Sequence, residues 1–152
     1  MKSKQHISEK INAAITLHND HHRIFLDAVS MADAKSLQGF LKLQTELRRK
    51  FAQQLIGALK IFDPQASIDV DGSFVGSLKR GWQDIKSSFA MENDFDLINQ
   101  SMELDAEVMQ HYTEILLEHE QDLTETLLKV INEHQTKLKS QQDAAKNLED
   151  LM

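Results

Sequence analysis

The chain has 152 residues with one Pro, five Gly and no Cys, and 41% apolar and 27% charged side chains. That length suits a single domain able to bury a core, and the missing Cys excludes disulfides and any thiolate-held zinc or iron–sulfur site. Seventeen Lys and Arg against 24 Asp and Glu leave a net charge of −7. The basic excess that drives non-specific nucleic-acid binding is therefore lacking, and no nucleic-acid partner is expected.

The opening MKSKQHISEK has no apolar run of signal-peptide length after it, and nothing later approaches the roughly 20 apolar residues of a membrane span. A cytoplasmic protein with no membrane partner is expected. Few Gly and Pro with many Leu, Gln, Lys, Glu and Ala favour helix throughout, because these side chains lose little rotamer freedom there. In the first helix Ile11, Ile15, His18, His22, Phe25 and Val29 recur at steps of four and three, one inward stripe. Ser8 reads as its N-cap, and His21 falls off the stripe toward solvent.

A break near Ala32 and Asp33 starts a second helix with Leu37, Phe40, Leu43 or Gln44, Leu47, Phe51, Leu55 and Ala58 inward. It stops at Asp63–Pro64, since a residue before Pro is pushed out of the helical region. The connector from Phe62 to Asn93 holds a short helix capped by Ser73, with Phe74, Leu78, Trp82, Ile85 and Phe89 as its apolar side. The third helix, capped by Asn93, carries Phe95, Ile98, Met102, Asp105, Met109, Tyr112 and Leu116. Its neighbourhood from Ser87 to Leu128 contains no Lys or Arg and reads as a solvated acidic face, with His111 and His119 on the surface. The fourth begins near Asp122 and turns Leu123, Leu127, Val130, His134, Leu138, Gln141, Ala145 and Leu148 inward. Residues 1–7 and 149–152 are expected to fray.

Four long helices make an all-α four-helix bundle. Short turns make helices one and two, and three and four, antiparallel neighbours. The long connector between two and three lets the chain travel the length of the bundle, which is the ferritin-like arrangement with one crossover.

Three segments carry a family resemblance: FLKLQTELRRKFAQQL (Phe40 to Leu55), GSFVGSLKRGWQDIK (Gly72 to Lys86) and DAEVMQHY (Asp105 to Tyr112). Through them the stretch from about Ile11 to Lys139 resembles a group of uncharacterised bacterial ferritin-like four-helix-bundle proteins, a domain of unknown function. The resemblance implies the fold and an association with stress, and no defined activity.

A ferritin-like di-iron site needs a Glu from each of two helices and a Glu-x-x-His pair from each of the other two. Here helix one offers His18 and His22 but no carboxylate, helix two reads QTELRRK with Glu46 turned away, helix three has Asp105, and Ile131 stands three residues before His134. The bridging carboxylates are missing. What remains is His18, His22, Asp105 and His134 near the midpoints of their stripes. As ligands these three imidazoles and one carboxylate would suit a Zn, Ni, Cu or Fe ion. As structure, Asp105 accepts from His134, His22 or Arg48 in a satisfied polar network. No cofactor is expected in that second reading. With no nucleophile constellation and no phosphate-binding loop, we read the chain as non-catalytic and acting by protein interaction, with the metal-binding bundle as the alternative. Self-association through the Trp82 helix or the bundle faces is a further expectation.

Overall fold

A computed structural model describes residues 2–68 and 93–151. The short helix expected around Trp82 lies outside the described residues. Within them the chain forms α1 (Lys2–Met31), α2 (Lys35–Phe62), α3 (Asp94–His119) and α4 (Glu125–Asp150), with a turn of 3-10 helix at Glu120–Asp122 between the last two. This is an all-α bundle with no strand among the described residues. Among the described residues no helix is long and apolar enough to cross a membrane.

Helix α1 runs through the first residues, with Ile7 fully buried. Ser8 therefore sits inside the helix and does not cap it; its hydroxyl donates instead to the Asp63 carboxylate at 2.9 Å. Asp63 is extended, as its position before Pro64 requires, and its other carboxylate oxygen accepts from the Gln65 amide at 3.2 Å. The chain then folds back along α1, where the Asn12 amide donates to the Ser67 carbonyl at 2.8 Å. Asn93 caps α3 by accepting from the Asp96 amide at 2.9 Å. The last helix begins later than its apolar pattern implies, because Thr124, not Asp122, accepts from the Leu127 amide and caps it.

The turn between α1 and α2 has neither a glycine nor a side-chain cap of its own; Ala34 occupies the N-cap position. The cap comes from Asp94, sixty residues on, whose two carboxylate oxygens accept from the Asp33 and Ala34 amides, each at 2.8 Å. A carboxylate there satisfies orphan amides and faces the positive end of the α2 dipole. It also fixes direction. The start of α3 is held at the α1–α2 turn, so α3 runs parallel to α2 and antiparallel to α1, and Asn93 and Ser67 lie toward opposite ends of the bundle. Each helix packs on two neighbours around a square, α1 on α2 and α3, and α4 on α2 and α3.

The apolar interior falls into two clusters. One gathers Ile11, Ile15, Phe51, Leu55, Ile115 and Leu127 toward the end where α1 begins. The other gathers Ile24, Phe25, Leu37, Leu41, Leu97 and Ile98 around the α1–α2 turn. Between them the buried positions are polar. Replacing Asp94 by Ala removes two charge-assisted bonds and should cost about 2 kcal/mol of unfolding free energy in urea; an unchanged midpoint would show that the turn does not depend on this carboxylate.

Candidate functional site: a buried polar layer

The polar layer is built by the four helices in common. Stripes of period 3.6 place His18 on α1, Gln44 and Arg48 on α2, Ser101, Asp105 and Tyr112 on α3, and His134 and Gln141 on α4. All of these are buried, and Arg48 and Asp105 are both 0% exposed. An arginine buried this deeply must be paired. Its Nη2 binds Asp105 Oδ1, its Nη1 lies 3.3 Å from His18 Nδ1, and its guanidinium carbon sits 5.4 Å from the Phe25 ring centroid, within cation–π range.

The chain of contacts continues from there. His18 Nε2 lies 2.7 Å from the Tyr112 hydroxyl, which lies 2.7 Å from His134 Nδ1, and His134 Nε2 lies 2.8 Å from Gln54 Oε1. One end of this series decides the rest. Guanidinium only donates, so His18 Nδ1 accepts, and a neutral His18 then carries its proton on Nε2 and donates to the tyrosine oxygen. The tyrosine O–H is left to donate to His134 Nδ1, and His134 donates from Nε2 to the Gln54 carbonyl. The bonds run in the single direction Arg48, His18, Tyr112, His134, Gln54, while Arg48 Nε and Asp105 Oδ2 are buried without a hydrogen-bond partner among the described residues. A second polar contact, Gln44 Nε2 to Gln141 Oε1 at 2.6 Å, joins α2 to α4 beside it.

Electrostatics keep both imidazoles neutral. Burial, with the Arg48 charge next in effect, holds His18 well below its ordinary value of 6.5. The same two causes bring His134 down to about 3. Burial raises the Tyr112 hydroxyl well above 10. Asp105 is pushed up to about 6 by burial, against the pull of Arg48, so at neutral pH it is ionised and paired.

Of the expected site residues, His18 and His134 do meet, with ring centroids 5.8 Å apart. Asp105 joins the layer through Arg48 rather than through an imidazole. His22 stays outside, half-buried, with Nδ1 bonded to the Thr45 carbonyl at 2.8 Å. The inward partner of His18 on α1 is His21, fully buried and not solvent-facing. Its Nε2 is 3.8 Å from Glu107 Oε2, and burial lowers its pKa to about 4. His111 is likewise drawn in, bonding the Lys10 carbonyl at 2.8 Å. On α3 the buried line runs Ile98, Ser101, Asp105, Val108, Tyr112 and Ile115. Phe95 is therefore left exposed, and Met102 and Met109 are only half-buried. Of the three donors expected for Asp105, Arg48 is the one that binds it, whereas the Tyr112 hydroxyl and Gln54 were not anticipated as members of the site.

A family model described as a domain of unknown function, DUF2383, matches residues 6–118. The chain belongs to the DUF2383 family. The matched span of this DUF2383 protein contains His18, Arg48, Gln54, Asp105 and Tyr112, while α4 with His134 lies beyond it. No curated protein and no solved structure matches the chain.

The layer predicts acid lability. Below about pH 6.5 the unfolded chain binds protons at His18, His21 and His134 that the folded chain refuses, so stability is full above that pH and is lost as pH falls. Asp105 acts in the opposite sense, since its folded carboxyl holds a proton between about 6 and 3.8 that the unfolded chain releases. The net uptake on unfolding is about two protons, or roughly 3 kcal/mol per pH unit between about pH 6 and 4. Against a domain stability at the lower end of the ordinary range, about 5–7 kcal/mol, helicity should collapse with a midpoint near pH 4 to 5 in a circular-dichroism titration, and His134→Gln, which removes about one of the two net protons, should flatten the slope by about a half.

Proposed function

We propose that the chain is a non-catalytic, ferritin-like bundle that acts through protein contacts on its outer surface, with the stress-related setting implied by its sequence resemblance. The observation that carries the reading is the consumed layer: both lone pairs that His18 and His134 would offer a substrate or an ion already accept, from Arg48 and from Tyr112. A reacting group needs a free lone pair or a labile proton at an accessible atom, and these are bonded to one another in the interior. The ferritin-like topology is supported by the parallel course of α2 and α3, whose facing ends lie at opposite ends of the bundle.

The layer's role in this reading is to set register. An apolar layer of the same volume would be as stable or more so, because an ion pair withdrawn from water recovers its desolvation cost only with good geometry. A directional chain through four helices discriminates against slipped or rotated packings that apolar side chains tolerate.

The competing reading places a Zn, Ni, Cu or Fe ion on His18, His22, Asp105 and His134. It requires the Arg48 and Tyr112 bonds to break and His22 to leave the Thr45 carbonyl. Two experiments separate them. Arg48→Met should lose about 3–5 kcal/mol by leaving Asp105 buried without its partner, and Arg48→Met with Asp105→Leu should recover most of it. If the arginine instead only repels an ion, the single variant should gain stoichiometric zinc or nickel binding at the core and rise in melting temperature with added metal, and that result would replace the structural reading with the metal-binding one.

A further inference from the structure

Away from the polar layer, at the end of the bundle where α1 begins and α3 finishes, three side chains converge that neither the fold nor the layer uses. His6 projects from the first turns of α1, and Glu118 and His119 close α3. One ligand atom from each lies within 4.8 Å of the other two, an arrangement found in this group alone among the described residues. The separations are 3.9 Å from His6 Nε2 to Glu118 Oε2 and 3.5 Å from His119 Nε2 to the same oxygen. Ligand atoms about 2.0–2.2 Å from a tetrahedral zinc lie roughly 3.3–3.5 Å apart, so shifts well under the length of a side chain bring the three onto one ion.

Two further observations point to a cation. His119 Nε2 is buried and has no hydrogen-bond partner among the described residues, although its ring is packed edge-on against that of His6 with centroids 5.2 Å apart. A nitrogen so held, without a bond to satisfy it, is a ligand atom in waiting. The site also sits at the carboxyl end of α3, where the helix dipole favours positive charge, in a stretch whose charged side chains from Glu92 to Glu125 are all acidic. Opposing these is Lys10, whose Nζ donates to Glu118 Oε2 at 3.0 Å and already occupies the carboxylate.

We propose that His6, Glu118 and His119 form a binding site for a borderline divalent transition metal such as zinc, clamping the first turns of α1 to the end of α3. Two imidazole nitrogens and one carboxylate oxygen select zinc, nickel, copper or cobalt over calcium and magnesium, which prefer all-oxygen shells. Three protein ligands leave a fourth position to water. The ammonium of Lys10 competes with the ion for Glu118 and sets the affinity below that of a closed structural site.

The test is calorimetric titration of zinc chloride into the untagged full-length chain, with His6→Ala, His119→Ala, Lys10→Gln and His134→Gln variants in parallel. The wild type should take up one zinc per chain. Each ligand variant should bind roughly tenfold more weakly or worse, since even outer-shell partners of a metal are worth that much. Lys10→Gln should bind several-fold more tightly, and His134→Gln should match the wild type. Because the His6 side chain is half exposed, its removal leaves the core intact, and thermal melting of the metal-free variants verifies this. Hydrogen exchange supplies a second readout: zinc should slow exchange in the first turns of α1 in the wild type and leave His119→Ala unaffected. The proposal is overturned by a wild type that takes up no stoichiometric zinc, by ligand variants that bind as tightly as the wild type, or by binding that His134→Gln abolishes, which would place the ion in the core.

Discussion

The buried guanidinium of Arg48 is the constraint on which the interior depends. A group that can only donate, placed where water does not reach, must find acceptors in the protein, and it finds Asp105 on α3 and His18 on α1. Its bond to His18 then removes the choice of tautomer there, and the same logic passes through Tyr112 to His134 and ends at Gln54. A single donor-only residue thereby orders hydrogen bonds that involve all four helices. The positive charge also adds to desolvation in keeping both imidazoles neutral, which is the state the chain of bonds needs.

This layer divides the apolar core in two, and the division explains how a bundle of simple amphipathic helices reaches one arrangement. Leucine and isoleucine stripes pack acceptably in several registers and rotations. A slip of one turn in any helix would strand a buried charge or a buried imidazole, at several kcal/mol. Asp94 acts similarly at the end of the bundle, where it caps a turn that has no cap of its own and fixes the direction of α3. Together they specify both the register and the course of the helices, at the expense of acid stability.

Much of this was legible in the amino-acid order. The helices, the stop at Pro64, the Asn93 cap and the central placement of His18, Asp105 and His134 follow from period, propensity and turn chemistry. Arg48 is one of three donors that the sequence offers Asp105, and what picks it out is position: within the run Arg48, Arg49, Lys50 it alone continues the spacing Leu41, Gln44, Arg48, Phe51, Leu55 and lies on the buried line. What escaped did so for identifiable reasons. On α1 the buried arc from Ile11 to His18 covers nearly every residue, so a stripe cannot choose between His21 and His22, three and four residues past His18. On α3 a stripe drawn through apolar residues alone selects Met102 and Met109, whereas the buried line passes through Ser101, a polar residue that such a rule discards. Asp94's bonds reach sixty residues back, and no local pattern encodes them.

The most direct test of this account is the protonation state of the two imidazoles. Nitrogen-15 NMR of the side chains at about pH 7 and about pH 6 should show His18 and His134 both neutral and both carrying the proton on Nε2, although a free histidine would be largely charged at the lower pH. An Nδ1–H tautomer at either residue, or an imidazolium at pH 6, would contradict the directional chain that starts at Arg48.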